Sequence, residues 1–303
     1  MNKFVNIKYW LDLWKRPKPR GVIIYLARSQ EEDVTNLIKS LRLLKEHFLN
    51  KFSYPVIIFV ENSFKDTWKK QIKDSAALDP RFEIVRFEIP PFINPEDVPP
   101  RVGEYGHGIG YRHMCRFFSG LVYLNPILSD YDWYWRLDTD SFILSDISYD
   151  IFRFMKARHI IYGYINYRKE DQSVAVGLWD SVSQYVLDRK IAPTFLKKFL
   201  KDGKWDQSIF YTNFEISDLN FWRSKQYQDF FNYIDQAKGI YMHRWGDAPI
   251  HTFAISIFIP ERRTHRFGDI HYQHQGFINS PFKNYFRKRC THTAVNKCSR
   301  YAA

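Results

Sequence analysis

The sequence predicts an α/β fold: a mixed, mainly parallel central sheet flanked by helices. Apolar runs that suit strands buried on both faces begin at Gly21 and at Tyr54. Between them, apolar residues from Val34 to Phe48 recur on one side of a helix. A second helical stretch and a third strand follow. This alternation is typical of a parallel sheet covered by its connecting helices.

The remaining elements follow in chain order. Strands are expected at 21–27, 54–61, 82–87, 131–137 and 160–165. Helices are expected at 34–48, 66–75, 111–123 and 147–155, and further helices in 174–201 are broken at 192–193. A Pro- and Gly-rich connection occupies 89–110, and loops of that length tend to be functional.

Composition favours an ordered globular protein with an anionic partner. The chain has 303 residues, is 45% hydrophobic and 18% aromatic, and carries a formal net charge of +12. Such a charge suits a nucleic acid, an anionic membrane surface or a nucleotide diphosphate. Much of it lies near the ends, so we expect one domain at 21–282 between basic segments at 1–20 and 283–303.

The cysteines and the apolar segments give weaker indications. Cys290 and Cys298 could close a small loop in an oxidising compartment, whereas Cys115 lies in an apolar helical pattern and suits a buried thiol. No stretch approaches the roughly 18 apolar residues of a membrane span. Charged residues interrupt the N-terminus, which therefore lacks the apolar core of a signal peptide. We expect a soluble protein or a catalytic piece of an anchored one.

The strongest candidate site is Asp138-Thr139-Asp140, which follows the aromatic strand 131–137. Two hard oxygen ligands one residue apart suit Mg²⁺ or Mn²⁺. A cation held there could neutralise a diphosphate leaving group without proton transfer. A polar turn after a strand would contain the same residues without binding a ligand. Arg28 and Glu61 also follow buried strands, where ligands of parallel sheets bind.

Four further segments contain candidate residues. Glu215 lies among aromatic residues and could act as a nucleophile or base, or its segment could be a helix start capped by Asn213 or Ser217. Asp247 could serve a sugar or cap a helix. His274 could complete a metal site or be structural. Arg112 and Arg116, four apart on a helix, could meet phosphates or form a solvated face.

Taken in order, five segments resemble the α-1,2-mannosyltransferases of the yeast Golgi, which build mannose chains on glycoproteins. The matching segments are 111–117, 134–136, 213–216, 244–251 and 269–274. The resemblance runs from about Gly21 to Pro281. It implies a glycosyltransferase-A type fold, with 21–282 as the catalytic domain, and retaining transfer of mannose from GDP-mannose with Mn²⁺.

The resemblance also implies roles for individual residues. Asp138 and His274 fall on metal ligands, and Glu215 falls on the carboxylate proposed as nucleophile. Asp247 and Tyr111 fall near the acceptor and the reacting sugar. Arg28 matches an arginine close to the nucleotide. Apart from the resemblance, Glu61 is expected at the nucleotide from its strand end, and Arg112 and Arg116 from their helical spacing. Asp140 is expected there too, touching the metal through water or serving the sugar instead.

The chain departs from the family in three ways. The family usually has Glu-Pro-Asp where this chain has Asp138-Thr139-Asp140, so the choice between Mn²⁺ and Mg²⁺ is open. Residues 89–109 also differ, and they are expected to border the acceptor site. The long stem and anchor are missing, so we expect the Golgi lumen for a piece of an anchored member and otherwise a soluble intracellular protein.

Three alternative functions are compatible with parts of the sequence. The same fold could use another donor, such as GDP-fucose or a UDP-hexose. The chain could be a glycan-binding protein that has lost catalysis. Its charge would also suit a nucleic-acid-binding protein, but the charge is terminal and the sequence has no recognition motif, so no nucleic-acid partner is expected.

Overall fold

The structure is a computed structural model that describes residues 17–104 and 106–280. Most of the predicted basic N-terminal segment, the predicted C-terminal tail, and Cys290 and Cys298 lie outside the described residues. Cys115 is a buried free thiol, as expected. No helix within the described ranges is long and apolar enough to cross a membrane.

A seven-stranded mixed sheet forms the centre of the fold, in the order β12-β6-β11-β4-β1-β2-β3. The strands are β1 (Gly21–Ala27), β2 (Val56–Glu61), β3 (Arg81–Val85), β4 (Trp133–Leu137), β5 (Ser141–Ile143), β6 (Tyr162–Tyr164), β7 (Tyr167–Lys169), β8 (Leu200–Lys201), β9 (Lys204–Trp205), β10 (Ser208–Phe210), β11 (Phe214–Asp218), β12 (Thr264–Arg266), β13 (Tyr272–His274) and β14 (Phe277–Asn279). Strands β1 to β4 run parallel, whereas β11 is antiparallel to both of its neighbours. The expected mixed, mainly parallel sheet is confirmed.

Helices cover both faces of this sheet. They are α1 (Glu31–Leu44), α2 (Asp66–Ala76), α3 (Ile109–Ser119), α4 (Ile151–Ala157), α5 (Leu178–Asp188), α6 (Leu219–Arg223), α7 (Lys225–Gln236), α8 (Gly239–His243) and α9 (Asp247–Phe258). One hydrophobic core includes side chains of α1, α2 and α4, and the other includes those of α3, α5, α7 and α9. Alternation along β4 separates the cores: Tyr134 belongs to one and Trp135 to the other.

Several predicted boundaries are corrected by local contacts. Helix α4 begins at Ile151 rather than 147, because Asp150 caps it by accepting from the amides of Phe152 and Arg153. In 174–201 the structure has one α-helix, α5, followed by a 3₁₀ turn at Leu196–Phe199. The cap expected at Asn213 or Ser217 is instead Asp218, which accepts from the amide of Asn220.

The topology brings distant segments to one edge of the sheet. The carboxyl ends of β1, β2 and β4 meet there, and the antiparallel β11 starts at the same edge. The smaller sheet β14-β13-β5 lies beside it, with His274 in register with Ser141. These five parts of the chain therefore lie at the edge that contains the turn at Asp138. The positions of the predicted strand ends had indicated this edge.

Candidate active site

Asp138, Asp140 and His274 approach one another at this edge. Nε2 of His274 lies 3.0 Å from Oδ1 of Asp140 and 3.6 Å from Oδ2 of Asp138. The other ring nitrogen, Nδ1, is 2.8 Å from the hydroxyl of Tyr211, which fixes the ring. Burial raises the pKa of Asp140, but the hydrogen bond and charge of His274 outweigh it and lower that pKa overall. Asp140 is thus held as a carboxylate facing an imidazole nitrogen.

Arg136 connects this group to a second carboxylate. It is buried on β4, and its Nε and Nη2 donate to Oδ1 of Asp138 at 3.3 and 3.2 Å. Its Nη1 donates to Asp247. The guanidinium also stacks over Phe118, with 3.6 Å between Cζ and the ring centre. One arginine therefore sets the spacing between Asp138 and Asp247.

Asp247 is the first residue of α9 and is almost fully buried. Both Arg136 and the hydroxyl of Thr212 donate to its Oδ2, and among the described residues none donates to Oδ1. Burial would raise the pKa of this carboxyl, but the charge of Arg136 prevails and lowers it. Asp247 therefore carries a negative charge with one oxygen available.

Glu215 lies deeper, on β11, and is fully buried. Tyr134 donates to its Oε1, and Tyr162 donates to its Oε2 at 2.7 Å. Nδ1 of His251 is 2.8 Å from the same Oε2. Both carboxylate oxygens are thus occupied, and Glu215 is not on an open surface. The catalytic role expected of Glu215 stays a prediction. Its hydrogen bonds are those of a buried charged group rather than of a nucleophile with a free oxygen.

Tyr111 forms the outer wall of the site and is 43% exposed. Arg244 stacks over its ring at 5.3 Å and pairs with Glu170, 3.3 Å away. Although the residue is 43% exposed, loss of water around its hydroxyl is the main cause that raises the pKa of Tyr111, and the nearby charges of Asp247 and Asp138 raise it further. The phenol therefore stays protonated and lies within electrostatic range of both acids.

Arg28 follows β1 and Glu61 is the last residue of β2, at the same edge, as predicted. Arg28 is mostly exposed and pairs with the buried Asp33 at 2.5 Å. Several acids raise the pKa of its guanidinium, first Asp33 by hydrogen bonding and also Asp140 by charge. Arg28 thus lies within electrostatic range of the Asp140 group. Glu61 ends β2 and is half-buried.

The phosphate contacts expected of Arg112 and Arg116 stay a prediction, which their contacts in the structure do not support. Arg112 is fully buried and donates to the carbonyls of Tyr241 and Pro99, at 2.5 and 2.6 Å. Arg116 forms a two-pronged ion pair with the buried Asp235, the closest contact being 2.9 Å. The two arginines tie α3 to the segments around α8 and α7, because their donors are consumed inside the protein.

Sequence reasoning overlooked the residues that organise the acids. Arg136 was part of a matching segment but received no role, although a buried-strand arginine two residues before Asp138 is a detectable signal. His251 lies four residues after Asp247, which places both on one face of α9. Glu170 lies in a short charged run and had no such signal.

Asn213 is another residue without an assigned role. Its side chain is buried, and neither its amide nitrogen nor its carbonyl oxygen has a hydrogen-bond partner in the structure. It lies in the turn immediately before β11, two residues from Glu215. Burying a side-chain amide without hydrogen-bond partners destabilises the folded state, and here this destabilisation occurs beside the acids of the site.

The fit of a divalent cation can be judged from these contacts. Among residues 17–104 and 106–280, no group of three or more His, Cys, Asp or Glu side chains is arranged to hold a metal ion. The contacts of His274 with Asp140 and Asp138 are pairwise, and an imidazole nitrogen facing a carboxylate oxygen needs a proton or a cation between them. One or two carboxylates plus substrate phosphates suffice for Mg²⁺ in nucleotide sites. The donor set fits a cation completed by a diphosphate.

Comparison with known proteins identifies similar chains. The family model of glycolipid 2-alpha-mannosyltransferases matches residues 4–302. The probable mannosyltransferase KTR3 of Saccharomyces cerevisiae is 33% identical over 304 residues, covering 93% of this chain and 71% of that protein. The aligned region thus spans more than two thirds of KTR3.

Two solved structures are similar in fold and sequence. Core-mannan synthase A from Aspergillus fumigatus, in a Mn/GDP form, has a TM-score of 0.80 at 28% identity and covers 88% of this chain and 77% of that one. The mannosyltransferase Ktr4p from S. cerevisiae, in complex with GDP, has a TM-score of 0.81 at 29% identity. That match covers 87% of this chain and 73% of Ktr4p.

Proposed function

The chain belongs to the glycolipid 2-alpha-mannosyltransferase family and is a glycosyltransferase, and on that premise we propose that it transfers mannose from GDP-mannose to a mannose-terminated glycan. The transfer forms an α-1,2 linkage and retains the anomeric configuration. The observation that carries this proposal is the meeting of Asp138, Asp140 and His274 with Asp247 at the carboxyl edge of the sheet. The GDP complex of Ktr4p and the Mn/GDP form of core-mannan synthase A support the donor and the metal.

The diphosphate end of the donor would lie at Asp138, Asp140 and His274. These residues would hold Mn²⁺, with Mg²⁺ as the alternative, and the cation supplies charge neutralisation for the departing diphosphate. Arg28 adds a cation at the end of β1 within range of Asp140. Tyr211 keeps the His274 ring oriented, so Nε2 stays directed at the acids.

The sugar would lie between Tyr111 and Asp247. In the transfer, the bond from C1 to the phosphate oxygen breaks and a bond from C1 to an acceptor hydroxyl oxygen forms. The lowered pKa of Asp247 makes it a weak base, so its Oδ1 orients the acceptor hydroxyl while the departing phosphate oxygen takes the proton. The Tyr111 hydroxyl, kept protonated by its raised pKa, donates to a sugar or phosphate oxygen.

Glu215 would act on the charge that develops at C1. A retaining transfer can use this carboxylate to attack C1 or to stabilise an oxocarbenium-like centre from a distance. Three hydrogen bonds occupy both oxygens of Glu215 in a fully buried position, which favours stabilisation. Attack would require an oxygen to leave its partners. A fixed charge in a low-dielectric interior acts without such reorganisation.

Product analysis tests the proposed function. The protein is incubated with GDP-mannose, Mn²⁺ and short α-mannosides, and the product is examined by mass spectrometry and NMR. We expect addition of one hexose in an α-1,2 linkage. A β linkage would contradict retention, and a different α linkage would contradict the proposed regiochemistry.

A donor panel separates the alternatives that keep the fold. GDP-fucose and UDP-hexoses are assayed beside GDP-mannose, each with Mn²⁺, with Mg²⁺ and with a chelator. Faster transfer from another donor would replace GDP-mannose in the proposal. Glycan binding without transfer or hydrolysis of any donor would instead indicate a protein that has lost catalysis.

A further inference from the structure

A closed ring of hydrogen bonds surrounds the carboxylate of Glu215. His251 Nδ1 is 2.8 Å from Oε2 of Glu215, and His251 Nε2 is 3.1 Å from the hydroxyl of Tyr123. The Tyr123 hydroxyl is 3.2 Å from that of Tyr134, which donates to Oε1 of Glu215. Glu215, His251, Tyr123 and Tyr134 thus form a closed ring, and each of these side chains is fully buried or nearly so.

The proton positions around this ring follow from the partners outside it. Nε2 of His251 also lies 3.0 Å from the carbonyl oxygen of Phe118, which can only accept. Nε2 therefore carries a proton. The hydroxyls then point in one direction around the ring, because Tyr134 donates to Glu215 and Tyr123 must donate to Tyr134. Aligned hydrogen bonds of this kind strengthen one another.

A second proton lies between His251 and Glu215. Glu215 accepts from Tyr134 and Tyr162, as an ionised carboxylate does. Its contact with Nδ1 at 2.8 Å needs one proton between the two atoms. We expect this proton on Nδ1, which would make His251 and Glu215 a buried ion pair. Removing one partner from such a pair leaves an uncompensated charge.

The ring packs against the core and is linked to the reacting groups. The His251 ring packs on Trp222, with 4.4 Å between ring centres. His251 and Asp247 are four residues apart on α9, and the charge of His251 contributes to the lowered pKa of Asp247. Glu215 is also paired across the sheet with Arg136, the residue that joins Asp247 to Asp138. A displacement of His251 would therefore affect both Glu215 and Asp247.

We propose that His251 is a positioning residue of the transfer reaction: through the ring with Tyr123 and Tyr134 it fixes the place and charge of the Glu215 carboxylate. This proposal rests on the proposed function. His251 touches neither donor nor acceptor in it and acts through Glu215. A buried histidine that only fills the core would pack equally well without a closed ring, so the two roles differ in what Tyr123 contributes.

The decisive variant is Tyr123→Phe, which removes only the hydroxyl that closes the ring. Its matched control is Tyr227→Phe: Tyr227 is also fully buried, packs on the same Trp222, and donates its hydroxyl to the backbone carbonyl of Ser119 outside the ring. We expect similar falls in Tm for both variants. We expect kcat to fall by about 10- to 100-fold in Tyr123→Phe only, with KM for GDP-mannose within about twofold of the unaltered protein.

A second pair of variants tests His251 itself. His251→Asn offers an amide donor near the position of Nδ1, whereas His251→Leu removes both nitrogens at similar volume. We expect Asn to recover at least about tenfold in kcat over Leu, because it restores part of the bond to Glu215. Equal kcat in the two variants, or equal kcat in Tyr123→Phe and its control, would overturn the proposal.

NMR of the full chain labelled with ¹⁵N-histidine makes the test independent of transfer activity. We expect His251 to show protons on both nitrogens, and Tyr123→Phe to shift its Nε2 signal while Tyr227→Phe leaves it in place. A His251 with one bare nitrogen would overturn the ring even if transfer is normal. If the NMR result holds and no donor is turned over, the proposed function fails while the ring stands.

Discussion

Asp140 and His274 lie 3.0 Å apart, carboxylate oxygen to Nε2, although they belong to distant parts of the chain. The antiparallel pairing of β13 with β5 brings them together, because it sets His274 opposite Ser141, the residue after Asp140. A proton on Nε2 makes this contact a hydrogen bond, which lowers the pKa of Asp140. The same two atoms are the donors that a bound cation would use in place of that proton.

Metal removal and loss of His274 are expected to have parallel effects. A chelator should abolish transfer and Mn²⁺ should restore it. His274→Ala should weaken Mn²⁺ activation by about 10- to 100-fold, judged from the Mn²⁺ concentration that gives half-maximal rate. His47→Ala is the control. His47 lies away from the site and pairs with Asp146, with 2.7 Å between Nδ1 and Oδ1. Equal Mn²⁺ dependence of the two variants would contradict the assignment.

Glu215→Gln should nearly abolish transfer while GDP binding survives. The substitution keeps the shape but places an amide donor against three groups that already donate. Transfer is measured by product formation and GDP affinity by calorimetry in the presence of Mn²⁺. Full activity in this variant would rule out any role of Glu215 in the reaction, whether by attack or by its charge.

Arg136→Lys should lower kcat by about 100-fold. Lysine keeps the charge, but it lacks the planar fork that reaches Asp138 and Asp247 together. Arg116→Lys is the matched control, since Arg116 also makes a two-pronged bond to a buried carboxylate outside the site. Kinetics and thermal unfolding of both variants are compared. Equal losses of kcat in the two variants would contradict a specific role of Arg136 in the site.

Arg112→Met distinguishes a structural role of Arg112 from the expected phosphate contact. The variant leaves backbone carbonyls of Tyr241 and Pro99 without donors, which should lower the free energy of unfolding by about 2–5 kcal/mol. GDP affinity of the folded fraction should stay within about twofold, because the side chain has no phosphate to bind. A tenfold loss of GDP affinity at unchanged stability would reinstate the phosphate prediction.

The stability supplied by Asp247 should depend on pH. Its folded-state pKa is lowered below the ordinary 3.8 because Arg136 outweighs the effect of burial. The ionised form therefore stabilises the fold above about pH 4, and that contribution is lost as the pH falls through the folded pKa. Asp247→Asn should cost about 3 kcal/mol at pH 7 and less at each step below pH 4.

Urea unfolding at several pH values measures this difference. Asp74→Asn, at an exposed position on α2, provides the baseline for a charge removed from the surface. A cost for Asp247→Asn that stays constant from pH 7 to pH 3 would mean that the ion pair with Arg136 does not stabilise the fold.

The sequence alone determined the sheet and its functional edge. Strands β1 and β2 are apolar runs, and β4 is an aromatic run interrupted only by Arg136. Because parallel strands place their carboxyl ends together, Arg28, Glu61 and Asp138 were predictable at one edge of the sheet. The segments around Tyr111, Glu215, Asp247 and His274 were recognisable only together, because in this order they resemble the yeast Golgi α-1,2-mannosyltransferases. Helix ends were less predictable, since single caps such as Asp150 decide them.

Only the tertiary structure decided which charged groups face the site. Arg112 and Arg116 share a helical face with suitable spacing, but the backbone carbonyls and the carboxylate that bind them come from distant segments. The bridge of Arg136 and the ring of His251, Tyr123 and Tyr134 around Glu215 likewise depend on contacts far apart in sequence. Periodicity indicates the face on which a side chain lies, whereas its partner is set by packing of distant elements.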